Sequence, residues 1–134
     1  MSPLVFSQIV STRAADQQVA DTLVWQIQHA LNRPCVREHK FSPLRKWRFD
    51  VVVCDGQGQI QTVKLAVEIE GGIFANKGEG GRHNRGAGMK ADLEKYNEAA
   101  VLGWTVFRIL PEWVPSGRAL GWIEQCLKRR GTLL

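Results

Sequence analysis

KWRFDVVVCDGQGQIQTVKLAVEIEG, residues 46–71, is the stretch whose reading decides the fold. Two runs rich in β-branched and aromatic residues, KWRFDVVVCD and QTVKLAVEIEG, flank a GQGQ turn signal, which predicts two strands joined as a hairpin. Folding the hairpin symmetrically about Gln59 sets Asp50 opposite Glu68, Val52 opposite Ala66 and Cys54 opposite Lys64. Side-chain parity agrees. Phe49, Val51, Val53, Val63, Leu65, Val67 and Ile69 fall on one apolar face, which leaves Asp50, Glu68 and Glu70 together on the other. Cβ atoms directly opposed in an antiparallel pair stand about 4.5–5.5 Å apart, and like charges so placed destabilise the sheet. A shared proton, a basic side chain or a divalent cation would relieve them.

Outward from this hairpin the chain reads as an α/β domain. Residues 14–31 place Val19, Leu23, Ile27 and Leu31 on one face of a helix, which Asn32, Arg33 and Pro34 stop. CVREHKF supplies a strand before the hairpin, set off from it by SPLR. Helical period returns at Met89, with Met89, Leu93, Tyr96 and Ala100 on one side and Gly103 as a cap. WTVFRIL reads as a fourth strand, and a last helix runs from Pro115 and Ser116 to Arg130 with Leu120, Ile123 and Leu127 as its apolar face. The order predicts a mixed four-stranded β-sheet flanked by helices, in a single domain spanning residues 1–134. Trp25, Trp104 and Trp122 lie within periodic elements and are expected in or near the core.

Composition narrows the partners. The net charge is +5 and the sequence pI about 9.5, a balance that favours polyanions. Arg33, Arg37, Lys40, Arg45, Lys46 and Arg48 precede the carboxylates, and Lys77, Arg82, Arg85 and Lys90 follow them. No apolar run approaches the roughly 20 residues of a membrane span, so no membrane partner is expected. The N-terminal MSPLVFSQIV lacks a basic segment ahead of an apolar core. Cys35, Cys54 and Cys126 form no C-x-x-C pair, which argues against a zinc ribbon and a disulfide framework and for reduced thiols in a cytoplasmic protein.

Residues 71–88, GGIFANKGEGGRHNRGAG, hold seven of the chain's thirteen glycines and read as a flexible basic loop that closes on a ligand. A Walker-type phosphate loop is excluded, because no G-K-S/T follows. His83 beside Asn84 invites an HNH reading, but His29 and His39 do not supply the further histidines it needs. Three carboxylates converging beside such a loop favour a magnesium or manganese site, since these ions take hard oxygen ligands and keep waters for chemistry. A structural salt-bridge cluster, with Lys64 or an arginine swung in, is the alternative.

RKWRFDVVV, then AVEIEGG, then GRH, then DLEKYNEAAVLGWTVFRI, in this order over residues 36–110, resembles the PD-(D/E)XK nuclease superfamily. The likeness is greatest to its small VRR-NUC-like and Holliday-junction-resolvase-like phage and bacterial members. It implies a restriction-endonuclease-like core and a metal-dependent endonuclease acting on DNA, including branched DNA, with Mg2+, or Mn2+ as a substitute. It makes Asp50 and Glu68 the metal-binding acidic pair, with Glu38 as an additional acidic ligand; flanked by Arg37, His39 and Lys40, Glu38 reads equally as a strand-edge salt bridge. Most members carry lysine two residues after the glutamate, where this chain has Glu70. Glu70 would then contact the metal or its water, and Lys90 or Lys95 on the following helix would replace the missing lysine. Arg45, Lys46, Arg48, Lys77, Arg82, His83 and Arg85 would bind the nucleic acid, and Trp47 could contact a base or sugar. Resolving two symmetric strands would require a homodimer. A module that keeps this scaffold and binds nucleic acid without cleaving it is the rival reading.

Overall fold

The computed structural model describes residues 12–71 and 79–133. The elements are α1 (Thr12–Leu31), β1 (Cys35–Lys40), β2 (Arg48–Val53), β3 (Leu65–Ile69), α2 (Glu79–Val101), β4 (Thr105–Ile109), a short 3-10 turn (Pro111–Trp113) and α3 (Arg118–Arg129). The strands form one sheet in the order β1-β2-β3-β4, antiparallel except for the parallel β3–β4 pair. That parallel pair needs a crossover, and α2 supplies it. The chain is therefore an α/β protein with a mixed four-stranded sheet flanked by helices.

Two apolar clusters share the sheet. On one face α1 and α3 contribute Leu23, Ile27, Leu31, Ile123 and Leu127 against Val51, Val53, Leu65 and Val67. On the other, Ala99 of α2 and Trp104 pack on Val52, Phe49 and Ala66. Deleting one of the fully buried aliphatic side chains, as in Ile123→Ala, costs about 2–5 kcal/mol, because the surroundings close only partly over the hole.

The hairpin register is the one that symmetry about Gln59 requires: Val51 pairs with Val67, Val52 with Ala66 and Val53 with Leu65. The connection is longer than the strand pattern indicated, since residues 61–63 are turn and Lys64 has φ 49°. Asp55 organises this turn, with Oδ1 accepting from the Gln57 and Gln59 amides and Oδ2 from the Thr62 hydroxyl. Those bonds hold its carboxyl below the ordinary value.

Four expectations need correction. Residues 79–88 are not loop, because α2 begins at Glu79, ten residues ahead of Met89. Met89 and Leu93 are exposed, and Lys95, Tyr96, Ala99 and Leu102 face the sheet instead. Trp25 is 59% exposed and stacks on His29 at 4.2 Å, because the buried stripe of α1 runs Ala20, Leu23, Ile27, Leu31 and leaves it off that face. Phe49 sits with Val52 and Trp104 rather than with Val51, so strict alternation fails at this end of β2. The cause is local: the β2–β3 ladder stops at Val51–Val67, and Glu38, between the Arg37–Val51 and His39–Phe49 pairs, has φ 53°.

Candidate catalytic site

Beyond Val51–Val67 two carboxylates replace the backbone ladder. The Asp50 amide donates to Glu68 Oε1 at 2.9 Å, and the Ile69 amide donates to Asp50 Oδ2 at 2.7 Å. These bonds satisfy backbone donors that the diverging strands would leave unpaired. Asp50 Oδ1 accepts no hydrogen bond from the described residues, so the acidic pair keeps free acceptor capacity.

Helix α2 completes the arrangement. Lys95 Nζ donates at 2.8 Å to Glu68 Oε2 and at 2.8 Å to the Arg48 carbonyl. The Tyr96 hydroxyl donates to the same Glu68 oxygen at 3.2 Å. Burial pushes the Glu68 carboxyl above its ordinary value, the Asp50 charge adds to this, and Lys95 opposes it. Asp50 is raised by burial and by Glu38, against the pull of the Ile69 amide, Lys95 and Arg37. Tyr96 is raised as well, by burial first and then by Glu68 and Glu70.

Glu70 pairs with Arg108 of β4, whose guanidinium also lies 3.5 Å from Asp92 and 4.3 Å from the centre of the Tyr96 ring. The parallel register explains the meeting, since Glu68 stands beside Arg108 in the ladder. Arg37 of β1 donates from Nε to the Asp50 carbonyl at 3.0 Å and pairs with Asp21 of α1. A cleft of 360 Å³ opens next to Asp50, lined by Asp16, Gln17, Ala20, Arg37, Glu38, Arg48 and Ile69.

The structure thus brings together Asp50, Glu68 and Lys95. Glu70 is engaged by Arg108, and Glu38 is half-exposed, with Oε1 3.9 Å from Arg37. Lys90 is exposed on α2. Among the described residues no group of three or more His, Cys, Asp or Glu gathers as a metal cage. Two desolvated carboxylates that repel each other, one with an unused oxygen, nevertheless suit a divalent ion with hard-oxygen preference, since such ions are held by one or two carboxylates with water filling the remaining positions. Asp50 and Glu68 would hold it.

Arg45, Lys46 and Arg48 are exposed around the turn that leads into β2. Trp47 is partly covered, with Arg45 5.1 Å above its ring and the Phe41 ring 6.4 Å away at 17°. Lys77 lies outside the described residues, as do the side chains of Arg82, His83 and Arg85, whose backbone belongs to α2. Sequence patterning placed Tyr96 on the apolar side of its helix and Arg37 among the flanking cations, and assigned neither these nor Arg108 a contact with Asp50, Glu68 or Glu70. Arg108 directly precedes the buried Ile109 in WTVFRI, and its partners Glu70 and Asp92 reach it only through the parallel register and α2, so the sequence carries no local signal for it.

Compared with protein-family models, curated proteins and solved structures, the chain has no match. Among the described residues no helix is long and apolar enough to cross a membrane.

Proposed function

We propose that this protein is a metal-dependent nuclease that hydrolyses DNA phosphodiester bonds, with branched DNA among its substrates, on a restriction-endonuclease-like core. One observation carries the reading: Asp50 and Glu68 cross-link two diverging strands, with the Lys95 ammonium 2.8 Å from Glu68. Magnesium or manganese bound there supplies Lewis acidity and a lowered water pKa. Asp50 and Glu68 hold the ion. Lys95 takes the part of the lysine absent at position 70, keeping positive charge where phosphoryl charge develops. Tyr96 positions Glu68, and Glu70 acts through Arg108 rather than on the ion. Arg45, Lys46 and Arg48, with Lys77, Arg82, His83 and Arg85, follow the phosphates. A homodimer would be needed to cut two symmetric strands. The free thiols of Cys35, Cys54 and Cys126 suit a reducing cytoplasm.

A non-catalytic DNA-binding module has one observation in its favour. Glu68 already accepts from Lys95, Tyr96 and the Asp50 amide, and Glu70 from Arg108, so the site is largely satisfied without a cation. Incubation with labelled linear, nicked and four-way DNA in magnesium, manganese or chelator separates the two. Cleavage that requires the metal supports the nuclease; binding without cleavage in every metal supports the module.

A further inference from the structure

The turn 41–47 has features that the catalytic reading leaves unused. Leu44 at its tip is 84% exposed. A lone exposed leucine is ordinary, but this one is held in place. The buried Ser42 accepts the Leu44 and Arg45 amides at 3.3 and 3.2 Å and donates to Glu98 of α2 at 3.2 Å. Arg45 lies 3.6 Å from Glu94, and Phe41 stacks on the buried Phe49 at 4.0 Å. The turn is therefore fastened to α2 on either side of Lys95, and its exit, the Arg48 carbonyl, receives a hydrogen bond from Lys95 itself.

Charge selects the occupant. Residues 40–48 carry Lys40, Arg45, Lys46 and Arg48 and no acidic residue. An apolar tip between cations fits a ligand that offers stacked apolar faces between anionic rails, which is duplex DNA. We propose that Leu44 is a wedge that inserts between adjacent base pairs of duplex DNA, with Arg45 and Lys46 gripping the flanking phosphates. The inference rests on nucleic acid being the partner, not on cleavage. The unstacking it causes favours steps that are already easy to open, such as junctions, nicks and mismatches. Because the turn is pinned to α2, the opened step is delivered beside Asp50 and Glu68.

The test uses a duplex carrying 2-aminopurine at successive positions, titrated to saturation in chelator so that cleavage is absent. The expected result is a severalfold rise in fluorescence at one step. Leu44→Ala should keep its melting temperature, bind within about threefold of the wild type and lose the rise. Arg45→Ala with Lys46→Ala should weaken binding at least about tenfold and lower the salt slope by about 2. Saturating wild-type binding without the rise, or a full rise with Leu44→Ala, overturns the wedge. No binding to any duplex overturns the wedge and the nucleic-acid partner together. Cleavage is read separately in magnesium: a rise without cleavage removes the nuclease reading and leaves the wedge standing.

Discussion

Lys95 Nζ lies 2.8 Å from Glu68 Oε2 and so places a cation beside a carboxylate that is 8% exposed. Lys95→Met should lower metal-dependent turnover at least about a hundredfold, the usual loss when one donor to transition-state charge is removed. Lys90→Met, changing an exposed position on the same helix, should leave turnover within about twofold. Single-turnover cleavage of labelled DNA compares the two. Equal losses would take Lys95 out of its proposed role.

Asp50→Asn and Glu68→Gln should move metal-free stability in opposite directions. An asparagine at position 50 can still accept from the Ile69 amide through its carbonyl oxygen while removing the repelling charge, so its melting temperature at neutral pH should rise. A glutamine at position 68 turns a donor group toward Lys95 and Tyr96, which would cost about 1–3 kcal/mol for a buried donor left unpaired. Denaturant titration in chelator reads both. The wild type should show magnesium-dependent cleavage and a thermal shift in magnesium, and both variants should lose them.

The pH dependence follows from the same pair. Both carboxyls are raised in the folded state, chiefly by burial. Between their unfolded and folded values the native state therefore holds more protons than the unfolded state, and stability falls as pH rises through that window. Asp50→Asn should flatten this decline, and saturating magnesium should remove much of it. A wild-type stability that instead climbs through the window would mean that Lys95 and the backbone amides outweigh burial.

Glu70 and Arg108 should couple weakly in stability and strongly in activity. Arg108 is half-exposed, so solvent screening limits the pair to about 0.2–1 kcal/mol in a double-mutant cycle. Arg108→Ala and Glu70→Gln should each reduce turnover, and the double variant should be no worse than Arg108→Ala alone, because Glu70 acts through the arginine. Additive losses would place Glu70 directly on the ion.

Patterning made the fold legible, and it failed where side chains do a backbone's work. The hairpin register could be read because a one-residue slip would turn Val51, Val53, Leu65 and Val67 away from α1 and α3. The face of Phe49 could not, since alternation presumes a continuous ladder and this one is interrupted by Asp50 and Glu68. Glycines at 80, 81, 86 and 88 disguised the first turns of α2, whose backbone propensity argues for loop. Lys95 could be proposed from its helix, but choosing it over Lys90 needed the azimuth of α2, which Glu68, Ser42 and the small Ala99 set together. Arg108 stayed hidden because a parallel register between distant strands leaves no local trace.

The parallel β3–β4 pair also bears on the order of folding. The β1–β2–β3 meander pairs residues close in sequence, whereas Glu68 meets Lys95, Tyr96 and its neighbour Arg108 only after the crossover has wrapped back. Contacts of high sequence separation form late. Asp50 and Glu68 can thus stay hydrated while the meander assembles, and the penalty of burying them falls on the final docking of α2. Substitutions that relieve this penalty should slow unfolding more than they speed refolding, so that the Asp50–Glu68 end of the sheet governs how long the native state lasts rather than how fast it is reached.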